Sequence, residues 1–336
     1  MRLKFRLYSR PFRLPLRTHH GVWRQREGVL LQIQDEFDRV SYGEIAPIPW
    51  FGSESIERAI EFCHSLPAEF EAAKIAEIPD SLPACQFGFE SAWRSLDRTV
   101  TLEKNLPYCG LLPTGSSAIA ALPFLTKTYS TLKWKIAVES IEEELESLEY
   151  LLANLPKTTR LRLDANGGLD FETAQRWLEV CDRSPQIEFL EQPLPVDRFS
   201  EMLKLSQNFS TAIALDESVA TIAQLQAVHA QGWRGIYVVK AAIAGFPSQL
   251  REFIQTHQLH VVWSSALETA IARRFIETHL VEPSAFALGM GVDHLFADSH
   301  LLQMRSIALM MNRYGKKFSE RLAATRRQAA DGQCCS

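Results

Sequence analysis

Six polar residues, Lys135, Asp164, Glu191, Asp216, Lys240 and Ser264, follow one another at intervals of 29, 27, 25, 24 and 24 residues. Each stands near the end of a short apolar run: "TLKWKIAV" (131–138), "RLRLDAN" (160–166), "IEFLEQP" (187–193), "AIALDES" (212–218), "GIYVVKAA" (235–242) and "HVVWSSA" (260–266). Three carboxylates brought to one rim repel one another unless a cation lies between them. With no Cys or His nearby, an all-oxygen set suits a hard divalent ion, Mg²⁺ before Mn²⁺. A lone strand-end acid is more often a helix cap, but three on consecutive strands favour metal. Lys135 lies one strand before the acids and Lys240 one strand after, so a closed sheet would bring them to a bound substrate from opposite sides. A lysine acts as a base only when its charged form is disfavoured, and Lys133, on the same strand face as Lys135, supplies a neighbouring charge. "KWK" could also guard an exposed edge strand, yet its place one step before three acids weakens that account. Arg162 shares a face with Asp164 and either pairs with a metal-binding acid or holds a substrate carboxylate.

An interval of about 25 residues is one strand, one helix and two turns, and elements of that kind must position these groups. Amphipathic segments such as "SIEEELESLEYLLANL" and "FETAQRWLEVCDR" separate the apolar runs, so a parallel sheet covered by helices is expected. With a further run at "AFALGMG" (285–291), at least seven strands in roughly 200 residues fit a (β/α) barrel, whose chemistry gathers at the C-terminal ends of its strands. No GxGxxG or GxxxxGK follows the early strands, which removes the usual support for nucleotide binding. Before residue 105 the order is different: strand-like "MRLKFRLY", a loop "PLRTHHGVWRQREG", strand-like "VLLQIQ", then helices near 55–75 and 86–100. That order predicts a small α+β domain.

The 336-residue chain carries 36 Lys and Arg against 40 Asp and Glu, a net charge of −4, with 46% hydrophobic residues. Such a balance fits a soluble globular protein and points to neither a nucleic-acid nor a membrane partner, while the ladder leaves a small-molecule carboxylate as the expected partner. Six cysteines without a CxxC pair suggest a reducing compartment. The first 26 residues hold eight Lys and Arg and no acid, as a transit peptide might, but "RLKFRLYSR" alternates with period two like a half-exposed strand. A cytoplasmic protein is therefore expected, and the sequence leaves its oligomeric state open.

"KWK", "RLDAN", "EQP", "DES" and "VVKAAIAG", in this order and spacing, resemble the enolase superfamily in its muconate-lactonizing subgroup. Within it, "RLRLDANGG", "FLEQPL", "ALDES" and "SSALET" look most like the o-succinylbenzoate synthase family. The likeness covers nearly the whole chain and implies a (β/α)7β modified TIM barrel (106–304) with an α+β capping domain (1–105, completed by part of 305–336). It implies Asp164, Glu191 and Asp216 as Mg²⁺ ligands, Lys135 as base, Lys240 as the opposing lysine and Lys133 as the companion within KxK. The implied reaction is dehydration of 2-succinyl-6-hydroxy-2,4-cyclohexadiene-1-carboxylate in menaquinone or phylloquinone biosynthesis. Leu169 stands where the family's DxNxxW pattern has Trp, which bears on packing rather than on metal. Substrate contacts are expected from His19 in the cap loop "PLRTHHG" and from Arg162, Ser264, Ser265 and Gly289 at strand ends. A dipeptide epimerase or N-acylamino acid racemase would use the same ladder. A non-catalytic binding barrel is disfavoured, because a decayed site would be expected to have lost one of these groups.

Overall fold

The alternation of basic and apolar residues at the N-terminus folds as the first strand of an antiparallel sheet. In this computed structural model, which describes residues 1–18, 21–97, 106–282 and 286–297, β1 (Arg2–Thr18) pairs with β2 (Gly21–Gln34), and β2 with β3 (Val40–Ile45). The hairpin is longer than expected. Leu16 to Thr18 pair with Trp23 to Gly21 after a register shift between Pro11 and Leu16, so most of the expected loop at 15–21 is a ladder. The shift lies where Pro11 and Pro15 cannot donate to a partner strand, which also breaks the alternation that would have marked the strand. His19 lies outside the described residues, as does the 305–336 segment expected to complete the cap.

The sheet's apolar face, with Val29, Leu31, Ile33 and Ile45, is buried against the helix Pro83–Arg94. Strand and helix touch at their backbones: a Cβ on Gly43 would lie 2.1 Å from the Gly88 carbonyl oxygen. Only glycine permits that approach.

The remaining strands run parallel in sequence order: β4 (Cys109–Leu111), β5 (Thr131–Lys135), β6 (Arg160–Asp164), β7 (Ile187–Glu191), β8 (Ile213–Leu215), β9 (Ile236–Val239) and β10 (His260–Trp263). Leu288 and Gly289 close the ring. Cys109 N donates to the Leu288 carbonyl at 2.8 Å, and Gly289 N donates to the Trp263 carbonyl at 2.8 Å. The fold is therefore the expected barrel with an antiparallel cap. Strand β4 was not among the expected runs, because "CGL" is too short to give an apolar signal. Several other strands stop sooner than their apolar runs, since Asp216 already begins a turn at 217–219 and Lys240 precedes a short helix.

Period two decides which side chains face which way. Phe189, Ala214, Ile236, Val238 and Val262 form a cluster inside the ring, distinct from the main core. Their neighbours in sequence pack outward beneath the helices, where Trp134 meets Trp177 edge to face with centroids 6.5 Å apart. Burying each such side chain stabilises the fold by about 1.5–3 kcal/mol.

The cap grips the barrel through two fully buried charged residues. The Glu44 carboxylate accepts from Tyr8 OH (2.5 Å), Thr269 N (2.8 Å), Thr269 Oγ1 (2.5 Å) and Ala272 N (3.3 Å), so it caps a barrel helix that begins at Ala270. The Arg26 guanidinium donates to the carbonyls of Ala266 (3.1 Å) and Pro47 (2.7 Å), and also to that of Ala46. Among the described residues no helix is long and apolar enough to cross a membrane.

Candidate active site

The ladder read from the sequence becomes one ring of side chains because the strands are in register. Lys135 pairs with Asp164, and Asp164 with Glu191, while Lys133 lies one pleat beneath, level with Arg162. Beyond the strand ends the backbones continue to hold one another. Ile136 N donates to the Asp164 carbonyl (2.9 Å), Ala165 N to that of Glu191 (3.1 Å) and Gln192 N to that of Ala214 (2.8 Å).

Two buried side chains fix the turns that follow. Gln192, fully buried, accepts from Asp216 N (3.0 Å) and Ser218 N (3.3 Å) through Oε1 and donates through Nε2 to Ser218 Oγ (2.8 Å) and the Leu194 carbonyl (3.0 Å). One amide thus ties the turn after Glu191 to the turn that carries Asp216. Glu144, on the helix after β5, accepts from the amides of Ala137 (2.9 Å), Val138 (2.8 Å) and Glu139 (3.1 Å). It steadies the turn after Lys135, where Ala137 adopts φ 61° at a cost of roughly 1 kcal/mol or more.

The acids are almost fully buried: Asp164 is 1% exposed, Glu191 1% and Asp216 3%. Each has an ammonium beside it. Lys133 Nζ lies 2.8 Å from both Asp164 Oδ2 and Glu191 Oε1, and Lys240 pairs with Asp216. Lys135 Nζ donates to Asn166 Oδ1 (2.9 Å), whose Nδ2 donates to Glu217 Oε1 (3.1 Å). Because a carboxylate only accepts, Glu217 fixes the Asn166 amide with its oxygen toward the lysine.

Burial would raise the Asp164 carboxyl, but Lys133 and Lys135 outweigh it and hold the group below its usual range. Burial likewise opposes the Lys133 ammonium, and Asp164 and Glu191 more than compensate, so it is held charged. Glu191 goes the other way, pushed up to about 8 by burial and by the charge of Asp164. Asp216 is raised too, mainly by burial, against the pull of Lys240.

Among the described residues no three acidic, His or Cys side chains are already drawn around one point as a metal cage, since Lys133 sits between two of the acids and Lys240 holds the third. The donor set still fits a divalent cation. All three groups are oxygens on neighbouring strands, and Glu191 is pushed up first by burial and then by the charges of Asp164 and Asp216, a repulsion that a hard cation among the three would relieve.

Some expected substrate contacts are revised. Arg162 is buried beneath the ring; its Nε bonds Glu188 (2.5 Å) and its Nη1 the Ala287 carbonyl (2.9 Å), so it neither pairs with Asp164 nor opens to the mouth. Ser265 donates its hydroxyl to Glu268 Oε2 (2.9 Å) within its own loop. The Gly289 amide is engaged in closing the ring with Trp263. Neither presents a donor to a ligand, because barrel closure and loop bonding already use them. Ser264 remains half-buried at the end of β10, beside Gly289.

Gln192, Asn166 and Glu217 were not singled out from the sequence, although they sit inside "EQP", "DAN" and "DES" next to the metal-type acids. Phe51 carried no signal. It arrives from the cap on the turn Pro49–Phe51 and places its ring 3.9 Å from Lys240 Nζ.

Comparison with known proteins agrees with the barrel-and-cap fold. The chain matches the "Enolase C-terminal domain-like" family over residues 118–274 and the "MenC, N-terminal domain" family over residues 3–96. It is 44% identical over 300 residues to the o-succinylbenzoate synthase of Thermosynechococcus vestitus, covering 87% of this chain and 93% of that protein. With the o-succinylbenzoate synthase of Aliivibrio salmonicida the identity is 30% over 262 residues, or 74% of this chain and 76% of the relative. The crystal structure of o-succinylbenzoate synthase from Thermosynechococcus elongatus BP-1, which has magnesium in its active site, superposes with a TM-score of 0.87 at 41% identity, covering 94% of this chain and 100% of that one. The muconate lactonizing enzyme from Pseudomonas putida shares the fold at 19% identity, with a TM-score of 0.72 over 89% of this chain and 90% of its own.

Proposed function

The chain belongs to the o-succinylbenzoate synthase family of the enolase superfamily, and from that premise we propose that it dehydrates 2-succinyl-6-hydroxy-2,4-cyclohexadiene-1-carboxylate to o-succinylbenzoate. The step belongs to menaquinone or phylloquinone biosynthesis. The observation that carries this reading is the 44% identity over almost the full length of a synthase, together with the complete set of three buried acids and three lysines at the barrel mouth.

In this reading Asp164, Glu191 and Asp216 hold Mg²⁺, which when bound engages the substrate carboxylate and neutralises the negative charge developing there. Lys135 is the base: its neutral Nζ takes the proton α to the carboxylate. The resulting ammonium then gives a proton to the leaving hydroxyl as the C–O bond breaks, so water departs and the ring becomes aromatic. General acid–base work of this kind contributes about 10²- to 10⁴-fold. Asn166, oriented by Glu217, holds Lys135 Nζ on the side of the ring where it must act. Lys240 stays cationic on the opposite side and stabilises the enolate electrostatically. Lys133 limits the repulsion between Asp164 and Glu191. Ser264 remains a candidate contact for the distal carboxylate, and so does His19 outside the described residues.

The same proposal places the division between cap and barrel near residue 105. It also takes the substrate to be a small carboxylate and the location to be cytoplasmic, in keeping with the buried free thiols of Cys63, Cys85, Cys109 and Cys181. Incubation with Mg²⁺ and the cyclohexadiene substrate, followed by ultraviolet absorbance, tests the reading, with appearance of the benzoate chromophore expected. Absence of aromatic product at micromolar enzyme, with epimerisation of dipeptides or N-acylamino acids instead, would overturn it.

A further inference from the structure

Among the described residues Lys240 makes two direct contacts of different kinds, with the Glu217 carboxyl also within electrostatic reach of its ammonium. One is the Asp216 carboxylate; the other is the Phe51 ring, whose centroid lies 3.9 Å from the ammonium nitrogen. Lys240 comes from the barrel and Phe51 from the cap. The turn that carries Phe51 is seated on the barrel rim: its left-handed C-cap, Gly52 at φ 102°, leaves room for a Cβ only 3.4 Å from that of Ala220. On its other side Trp50 meets Trp23 edge to face at 4.8 Å. The turn is therefore held on both sides, and the half-buried Phe51 ring packs against the main core as well as facing the lysine.

We propose that Phe51 is a positioning residue for Lys240, holding the ammonium by a cation–π contact once Asp216 is drawn to the metal. This rests on the reading above, in which Asp216 is a metal ligand. A carboxylate that coordinates a divalent cation shares its negative charge, so its attraction for Lys240 weakens at the moment the site becomes competent. The π face of Phe51 is unaffected by the metal and remains as a fixed attraction on one side of the ammonium. The opposite side is left for the substrate ring, giving a ring–ammonium–ring stack as the product becomes aromatic. In this arrangement the cap does more than exclude water, because it supplies the contact that aims a barrel lysine.

The test replaces Phe51 by mono-, di- and trifluorinated phenylalanine, which drain the ring face stepwise while almost preserving its shape, and by Leu as an end point. The expected result is a progressive fall in kcat reaching about 2- to 30-fold, with Mg²⁺ affinity and Tm unchanged along the fluorinated series. A series flat in kcat, or one that changes only KM, would overturn the proposal, since packing alone would then account for the contact. A readout independent of turnover is the position of Lys240 in crystals of the Mg²⁺-loaded protein. Lys240 Nζ should remain on the Phe51 ring in the unsubstituted enzyme and leave it in the trifluorinated one. If it has already left the ring in the unsubstituted loaded enzyme, the proposal falls, whichever reaction the enzyme catalyses. Failure to form aromatic product with Lys240 still on the ring would count against the synthase reading alone.

Discussion

Lowering the pH should weaken Mg²⁺ binding steeply, because a proton competes for Glu191. In the metal-free site this carboxyl is pushed up to about 8, first by burial and then by Asp164, whose own carboxyl is held low by Lys133 and Lys135. A bound cation would favour the ionised form, so binding below pH 8 must expel the proton. With half-ionisation at about 8, only about one molecule in a hundred has Glu191 ionised at pH 6, against roughly nine in ten at pH 9. Apparent affinity should therefore fall about a hundredfold over that range, approaching tenfold for each pH unit below 7. Titration calorimetry in buffers of different ionisation enthalpy measures the released proton directly, with close to one expected at pH 6.5 and almost none above pH 9. Affinity flat between pH 6 and 9, or no proton release at pH 6.5, would refute the charge argument. The same shift has a consequence for stability. A buried acid raised from its ordinary 4.5 to about 8 retains its proton longer in the folded than in the unfolded chain. Its contribution is therefore present in full below pH 4.5 and lost as pH rises through about 8. Mg²⁺ should restore Tm most on the alkaline side.

Lys135→Ala should lower kcat by about 10²- to 10⁴-fold while calorimetric Mg²⁺ affinity stays within a few-fold, and an active variant would remove Lys135 as base. Asn166→Ala deletes the 2.9 Å bond that orients Lys135 Nζ; losing an ordinary hydrogen bond is worth about 0.5–1.5 kcal/mol, so kcat should drop roughly 2- to 10-fold, with KM the smaller effect in steady-state assays. Gln192→Ala leaves Asp216 N, Ser218 Oγ and the Leu194 carbonyl without this partner, and urea unfolding should report a loss of about 2–4 kcal/mol together with weaker Mg²⁺ binding. Glu44→Ala strips the cap's hold on Thr269 and Ala272. It should cost about 3 kcal/mol or more in the same assay, and an unchanged midpoint would show that the cap does not rely on this carboxylate.

The sequence by itself determined the barrel and the identity of its rim. A polar residue at the end of one apolar strand is ambiguous, but Lys135, Asp164, Glu191, Asp216 and Lys240 recur at one βα unit, and a parallel sheet in register turns that spacing into a ring. Period two then placed Trp134 outside and its two lysine neighbours within, as the buried contact with Trp177 bears out. The tertiary structure decided everything that depends on which partner is nearest. From spacing alone Arg162 was as well placed as Lys133 to reach the acids, yet Glu188 and the Ala287 carbonyl take its guanidinium. Ser265 and Gly289 looked available until loop bonding and ring closure used their donors. Strand β4 was invisible because three residues carry no period, and it exists through its neighbours on both sides. Phe51 lies 189 positions from Lys240 in the chain, and no local pattern links a residue of the cap to one of the barrel. Periodicity records which way a side chain points from its own strand, whereas contacts between distant segments arise only when the whole chain has packed.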